Sequence, residues 1–307
     1  MNTGEGAALF LEPRRRTLDL TDAGAREPGA YLAGLEFGDP NRPLDAVFLH
    51  ANGFNAMTYR TVLAPLSKHL RILAIDQQGH GLSPQRTPVE GRKSWLDLRD
   101  DLLALLTALN AGPLVLAGHS MGGTVSLLAA AEAPETVKAL VLFDPVLPSP
   151  EVMVQWMAAQ GRPIPGNGLA DQAERRRSIF PSREAVLDNY RGRGAFRTWP
   201  EASLADYVID GFRDRDDGQV ELTCAPAWEA SNFRAHGHDT WAAIARLRRP
   251  VRILRAELGS TCSLDDSDRL PREVADRRIE TIPGSTHFLP IERPELVRAA
   301  LLEACGK

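Results

Sequence analysis

The sequence predicts an α/β protein: a mostly parallel central sheet of about eight strands, flanked by helices and interrupted by a helical insertion. Three observations carry that expectation. Short apolar, partly β-branched runs alternate with helical patterns along the chain. The runs are continuous rather than alternating in polarity, as strands covered on both faces of a parallel sheet require. One long stretch, 147–249, breaks the rhythm and is too long to be a loop.

Taken in order, RRTLDLTD (15–22) and YLAGLEFGD (31–39) read as two leading strands joined through the turn residues AREPG. DAVFLHA (45–51), RILAIDQ (71–77), PLVLAGHS (113–120), KALVLFDP (138–145), VRILRAE (251–257) and RRIETIPG (277–284) follow, each ending in turn formers. Helical patterns separate them: TYRTVLAPLSKHL, SWLDLRDDLLALLTAL, GGTVSLLAAAEAP and, last, PELVRAALLEAC. Leu96, Leu98, Leu102, Leu103, Leu105, Leu106 and Leu109 fall on one broad helical stripe, with Asp97, Asp100 and Asp101 grouped opposite or near its N-terminal end. The expected organisation is a core domain of residues 1–146 and 250–307, with a helical cap over 147–249. No buried strand is expected in the cap; its helical pieces are EVMVQWMAAQ, REAVLDNYR, EASLADYVIDGF and TWAAIARLRR.

Composition narrows the function classes. The chain has 307 residues, 43% hydrophobic and 25% charged, with net charge −4. That balance argues against nucleic acid as a partner, because phosphate binding needs a clustered basic surface. The runs Arg14-Arg15-Arg16 and Arg175-Arg176-Arg177 are short and read as solvated faces. Cys224, Cys262 and Cys305 are odd in number and widely spaced, which fits a reducing compartment. No stretch approaches the roughly 20 apolar residues of a membrane span, and MNTGEGAALFLEPRRR lacks the apolar core of a secretory leader. A cytoplasmic protein acting on a small molecule is expected. None of these features sets an oligomeric state.

Chemistry concentrates in LAGHSMGGT (116–124), where Gly118-His119-Ser120-Met121-Gly122 stands between a predicted strand and a predicted helix. A tight strand-to-helix turn there strains the serine backbone and lifts its hydroxyl above the sheet edge. Glycines at the flanks leave room for the close approach. The helix N-terminus that follows aims free N–H groups at the place where an oxyanion would form.

With that strand–turn–helix context the chain resembles the α/β-hydrolase superfamily, and within it the cap-bearing serine esterase-like branch. Three further stretches carry the resemblance. FLHANGFNA (48–56) resembles the loop that supplies half of an oxyanion hole, implying the N–H of Phe54, or else Gly53, beside that of Met121. AIDQQGHGLSP (74–84) resembles the family's D-x-R-G-x-G-x-S turn, with Gln78 in the arginine place, and is read as architectural. IPGSTHFLPIERPELV (282–297) places His287 after the last strand, and the family order of serine, acid, histidine makes it the general base. A serine hydroxyl is a poor nucleophile until an imidazole takes its proton. His236-Gly237-His238-Asp239 has a faintly metal-like look, but without a third spaced ligand it reads as a solvated cap loop.

The usual place of the acid, after VRILRAE, holds Gly259 and Ser260 instead. Two carboxylates end adjacent predicted strands: Asp144 in LVLFDP, the first choice, and Glu257, the alternative. An ionisable group ending so apolar a run is expensive to bury without a partner, and a histidine would supply one. Asp265, Asp266 and Asp268 read as charges in a first helical turn.

The expected chemistry is hydrolysis of a carboxylic ester, lactone or thioester through an acyl-enzyme, with no cofactor and no metal. Trp156, Met157, Trp199 and Trp228 are candidate pocket-lining residues. Two rival readings use the same scaffold: a C–C bond hydrolase of the β-diketone type, and a hydrolase-like ligand-binding receptor.

Overall fold

The computed structural model describes residues 12–21, 23, 28–160, 162, 168–264, 274 and 276–307. Most of the AREPG turn and all of Asp265, Asp266 and Asp268 lie outside the described residues. Eight strands form one sheet: β1 (Arg14–Asp19), β2 (Tyr31–Phe37), β3 (Ala46–Leu49), β4 (Ile72–Ile75), β5 (Leu114–His119), β6 (Val137–Phe143), and later β10 (Val251–Leu258) and β11 (Arg277–Thr286). Their spatial order is β1-β2-β4-β3-β5-β6-β10-β11. The pairs β1–β2 and β2–β4 are antiparallel, and the others are parallel. This is the α/β-hydrolase fold.

Burial follows the sequence pattern. Every residue of β3, β4 and β5 is buried, because helices cover both faces of the sheet. On the core side these are α1 (Arg60–Leu63), α2 (Leu96–Leu109) and α3 (Met121–Glu132). The closing helices are α10 (Leu289–Glu292) and α11 (Pro294–Cys305). The leucine stripe of α2 faces inward, and Leu98, Leu102 and Leu105 are almost fully covered. Edge strand β1 carries the first arginine run as ion pairs: Arg14 and Arg16 hold Glu36, and Arg15 holds Asp210.

Between β6 and β10 the chain forms α4 (Pro150–Ala159), α5 (Gly168–Glu174), α6 (Arg183–Tyr190), α7 (Glu201–Gly211), α8 (Pro226–Arg234) and α9 (Thr240–Ala245). It also forms a small antiparallel sheet of β7 (Ile179–Phe180), β9 (Val220–Leu222) and β8 (Phe212–Asp214). The expectation of a strand-free insertion is therefore corrected. These strands are two or three residues long, and their buried members Phe180, Phe212, Val220 and Leu222 are too few to write a period-2 signal.

Candidate active site

The elbow is built from contacts that no side chain would fit. A Cβ on Gly118 would stand 2.4 Å from the backbone carbonyl of Gly122, and one on Gly122 would stand 2.4 Å from the carbonyl oxygen of Leu49. Glycine at both positions lets α3 start directly against the ends of β5 and β3. Ser120, between them, takes φ 53° and ψ −118°, a region costly for a residue with a side chain. Its N–H donates to the Phe143 carbonyl at 2.9 Å, which fixes the strained turn to β6.

Strands from the other half of the sheet bring the partners. His287 lies in the turn between β11 and α10, and its Nε2 is 3.0 Å from Ser120 Oγ. Its Nδ1 is 2.6 Å from Oδ2 of Asp144, the residue directly after β6. Asp144 is fully buried and also has positive φ, at 42°. Its Oδ1 accepts from the Ala256 N–H at 2.8 Å and from Ser260 Oγ at 2.5 Å, and its Oδ2 accepts from the Thr261 N–H at 3.1 Å. Burial pushes this carboxyl up, but His287, then Ser260 and the Ala256 N–H, outweigh that and hold it below the ordinary aspartate range. Glu257, the alternative, is exposed and accepts from the Gly284 N–H at 2.8 Å, away from His287. Ser260 and Thr261 escaped the sequence reading because a hydroxyl where an acid is sought registers only as a missing acid.

The expected oxyanion donors after β3 need correction. The Phe54 N–H donates to the Ala51 carbonyl at 3.1 Å, and the Gly53 N–H donates to His80 Nε2 at 3.1 Å. The first is engaged in the loop's own turn, the second with a side chain of the loop after β4. Among the described residues nothing accepts from the backbone N–H groups of Asn52 or Met121. Asn52 is held through its side chain, which donates to the Glu229 carbonyl at 3.0 Å and accepts from Asn232 Nδ2 at 2.8 Å. Counting two residues on from His50, instead of looking for a glycine, would have pointed to it.

The remaining histidines have other work. His50 takes the Gln77 N–H on Nε2 and sits by the Ala51 carbonyl through Nδ1, and burial lowers its pKa to about 4. His236 and His238 do not lie in a solvated loop. Both are buried; His236 stacks on Trp156 at 4.1 Å and His238 on Trp95 at 4.7 Å, while Asp239 caps α9. Among the described residues no cluster of three or more His, Cys, Asp or Glu side chains is placed to hold a metal. In the family-like turn, the Asp76 carboxylate accepts from the N–H groups of Ala56 and Leu82 and ties two loops together, with burial raising its pKa to about 7.

Of the four candidate pocket residues, Trp199 comes near the site: its ring meets Phe54 edge-on at 5.0 Å and Phe288, next to His287, at 6.0 Å. Trp228 is fully buried, donates to the Gln78 carbonyl and is covered by Arg92, so it is corrected to a core residue. Trp156 faces His236, and Met157 is half-buried on the same helix α4. Arg176 is likewise no solvated charge: it pairs with Glu229 and donates to the hydroxyls of Tyr190 and Tyr207. The pair presses on the loop after β3, where a Cβ on Gly53 would stand 2.6 Å from Glu229 Oε1.

The chain is 26% identical over 255 residues to 2-(acetamidomethylene)succinate hydrolase of Mesorhizobium japonicum, spanning 83% of this chain and 85% of the relative. It is 29% identical over 262 residues to an esterase of Mycobacterium tuberculosis, spanning 83% and 82%. The crystal structure of E-2-(acetamidomethylene)succinate hydrolase superposes with a TM-score of 0.72 at 25% identity, over 96% of this chain and 100% of that one. A thioesterase domain from the curacin biosynthetic pathway shares the fold, with a TM-score of 0.72 at 17% identity over 94% and 99% of the two chains. The model of the alpha/beta hydrolase family matches residues 46–300, and the chain belongs to that family.

Proposed function

We propose that this hydrolase is a serine enzyme that cleaves a carboxylic ester, or a related lactone or thioester, of a small and largely apolar substrate. One observation carries the reading: the unbroken chain from Ser120 Oγ through His287 to Asp144, at 3.0 and 2.6 Å, starting from a serine on a strained elbow. In this reading Ser120 attacks the carbonyl while His287 Nε2 takes its proton. Asp144 holds the tautomer and stabilises the imidazolium. The tetrahedral oxyanion is received by the N–H groups of Met121 and Asn52, each contributing a factor of about 10²–10³ in turnover. His287 then returns the proton to the leaving group, and water repeats the sequence on the acyl-enzyme.

Residues 147–249 act as the cap, with Trp199, Phe54 and Phe288 forming an aromatic wall beside the base. Three buried free cysteines fit a reducing compartment, and the cytoplasm is part of the same reading. Among the described residues no helix is long and apolar enough to cross a membrane.

A second reading, a substituted succinate as substrate, is favoured by the relative named as acting on 2-(acetamidomethylene)succinate. A fluorophosphonate probe is expected to label Ser120 and to leave Ser120→Ala unlabelled; labelling at another residue refutes the nucleophile. A screen of p-nitrophenyl esters of increasing acyl length, β-diketones and substituted succinates then ranks the substrate classes by kcat/KM.

A further inference from the structure

We propose that Tyr59 and His119 are positioning residues: a buried hydrogen-bond chain through them sets the orientation of His287. The proposal rests on His287 being the base. His119 Nε2 lies 2.7 Å from the backbone oxygen of His287, its Nδ1 lies 2.7 Å from Tyr59 Oη, and Tyr59 Oη lies 3.2 Å from the Ala51 nitrogen. Each proton in this chain has one possible place. A carbonyl oxygen only accepts, so His119 carries its proton on Nε2. Nδ1 must then accept, so the Tyr59 hydroxyl donates to it and receives the Ala51 N–H on its oxygen.

Both side chains are fully buried, and burial with the neighbouring His287 pushes the pKa of His119 down to about 3, so the imidazole stays neutral. With both nitrogens engaged, His119 is not a competing base for Ser120. What the chain joins is more telling. Ala51 belongs to the loop after β3, His119 ends β5 one residue before the nucleophile, and His287 follows β11. Three segments far apart in sequence, each carrying one part of the reacting centre, are therefore tied by consecutive bonds. The tie grips the His287 main chain, while Ser120 and Asp144 grip its ring, so the imidazole is fixed at both ends. In Tyr59→Phe, His119 Nδ1 loses its donor and the Ala51 N–H loses its acceptor, so the ring keeps its bond to the His287 oxygen but is no longer held from the loop after β3.

The test uses the rate of Ser120 labelling by a fluorophosphonate probe, separated into the maximal inactivation rate and the half-saturating probe concentration. Tyr59→Phe is expected to lower the maximal rate about 10- to 100-fold, the scale of a small misplacement at a reacting centre, with half-saturation within about twofold. His119→Leu is expected to fall as far. His119→Gln, whose amide N–H can still reach the His287 oxygen, is expected to recover at least half of that loss on a logarithmic scale. A mere packing role predicts the opposite order, since leucine suits a buried site better than glutamine. Folding of each variant is checked by thermal unfolding. Wild-type rates in Tyr59→Phe and His119→Leu, with His287→Ala silent, overturn the positioning chain and leave the serine mechanism standing. A fast His287→Ala overturns the mechanism and the chain with it.

Discussion

The ends of β6 and β10 lie side by side in the sheet, in register from Val251 against Leu140 to Leu254 against Phe143, yet they contribute opposite things to the site. The β6 end supplies a carboxylate, Asp144, with no donors of its own around it. The β10 end supplies donors and no catalytic acid: the Ala256 N–H, the Ser260 hydroxyl and the Thr261 N–H all point at Asp144. Its own carboxylate, Glu257, turns outward to the Gly284 N–H. In the proposed reading the difference teaches that the triad acid is a place in space more than a place in sequence: the β6 end carries the carboxylate, and the β10 end furnishes the hydrogen bonds that stabilise its buried charge.

The widest separation between the two ends should come from Asp144→Asn. Loss of a triad acid costs about 10⁴ in turnover when the geometry survives, because the histidine settles in the wrong tautomer. Steady-state hydrolysis of a p-nitrophenyl ester measures it, and a loss below about tenfold would mean that another group orients His287. The same variant has a signature in stability. The folded pKa of Asp144 lies below the unfolded value of ~3.9, so its charge contributes stability above that pH and the contribution is lost as pH falls through the folded value. The gap in Tm between the wild type and Asp144→Asn should therefore narrow between pH 7 and pH 3. A constant gap would assign the effect to shape alone.

A second change moves the acid. Ser260 Oγ is 2.5 Å from Asp144 Oδ1, so a carboxyl carried by residue 260 would overlap the space that Asp144 now fills. Asp144→Ala combined with Ser260→Asp should regain at least about tenfold over Asp144→Ala alone, a modest share of the loss a triad acid represents. No gain in a folded double variant would show that the β10 end can hold an acid but not present one.

How much of this was legible beforehand depends on what each signal costs to write. The inner strands β3, β4, β5 and β6 stood out because burial on both faces demands long apolar runs, and the elbow stood out because its glycines are forced by contacts of 2.4 Å. Asp144 could be read because a carboxylate at the end of Leu140-Val141-Leu142-Phe143 needs a reason to be there. The loop after β3 was misread for the opposite cause. Its glycine suggested an oxyanion donor at Gly53 or Phe54, whereas Gly53 is required by its φ of 75° and by the approach of Glu229, and the two N–H groups are taken by His80 and by the Ala51 carbonyl. Trp228 and His236 were likewise placed by residue type alone, and packing overruled type: one is capped by Arg92, the other sandwiched against Trp156. Contacts between segments so far apart along the chain leave no local pattern.

The smallest effect belongs to the other strand end. Glu257→Gln keeps the length of the side chain, and the amide oxygen can still accept from the Gly284 N–H that Glu257 Oε2 now engages at 2.8 Å. Residue 257 is exposed, so neither a cavity nor an unpaired buried charge is created, and surface changes of this kind stay within about 0.5 kcal/mol. Turnover of the p-nitrophenyl ester should remain close to that of the wild type, since residue 257 bonds the Gly284 N–H and contributes nothing to the Ser120–His287–Asp144 chain. A loss in Glu257→Gln as deep as that in Asp144→Asn would reverse the comparison: the two carboxylates would then trade roles, and the donors gathered around Asp144 would be stabilising a structural charge instead of the one that orients the base.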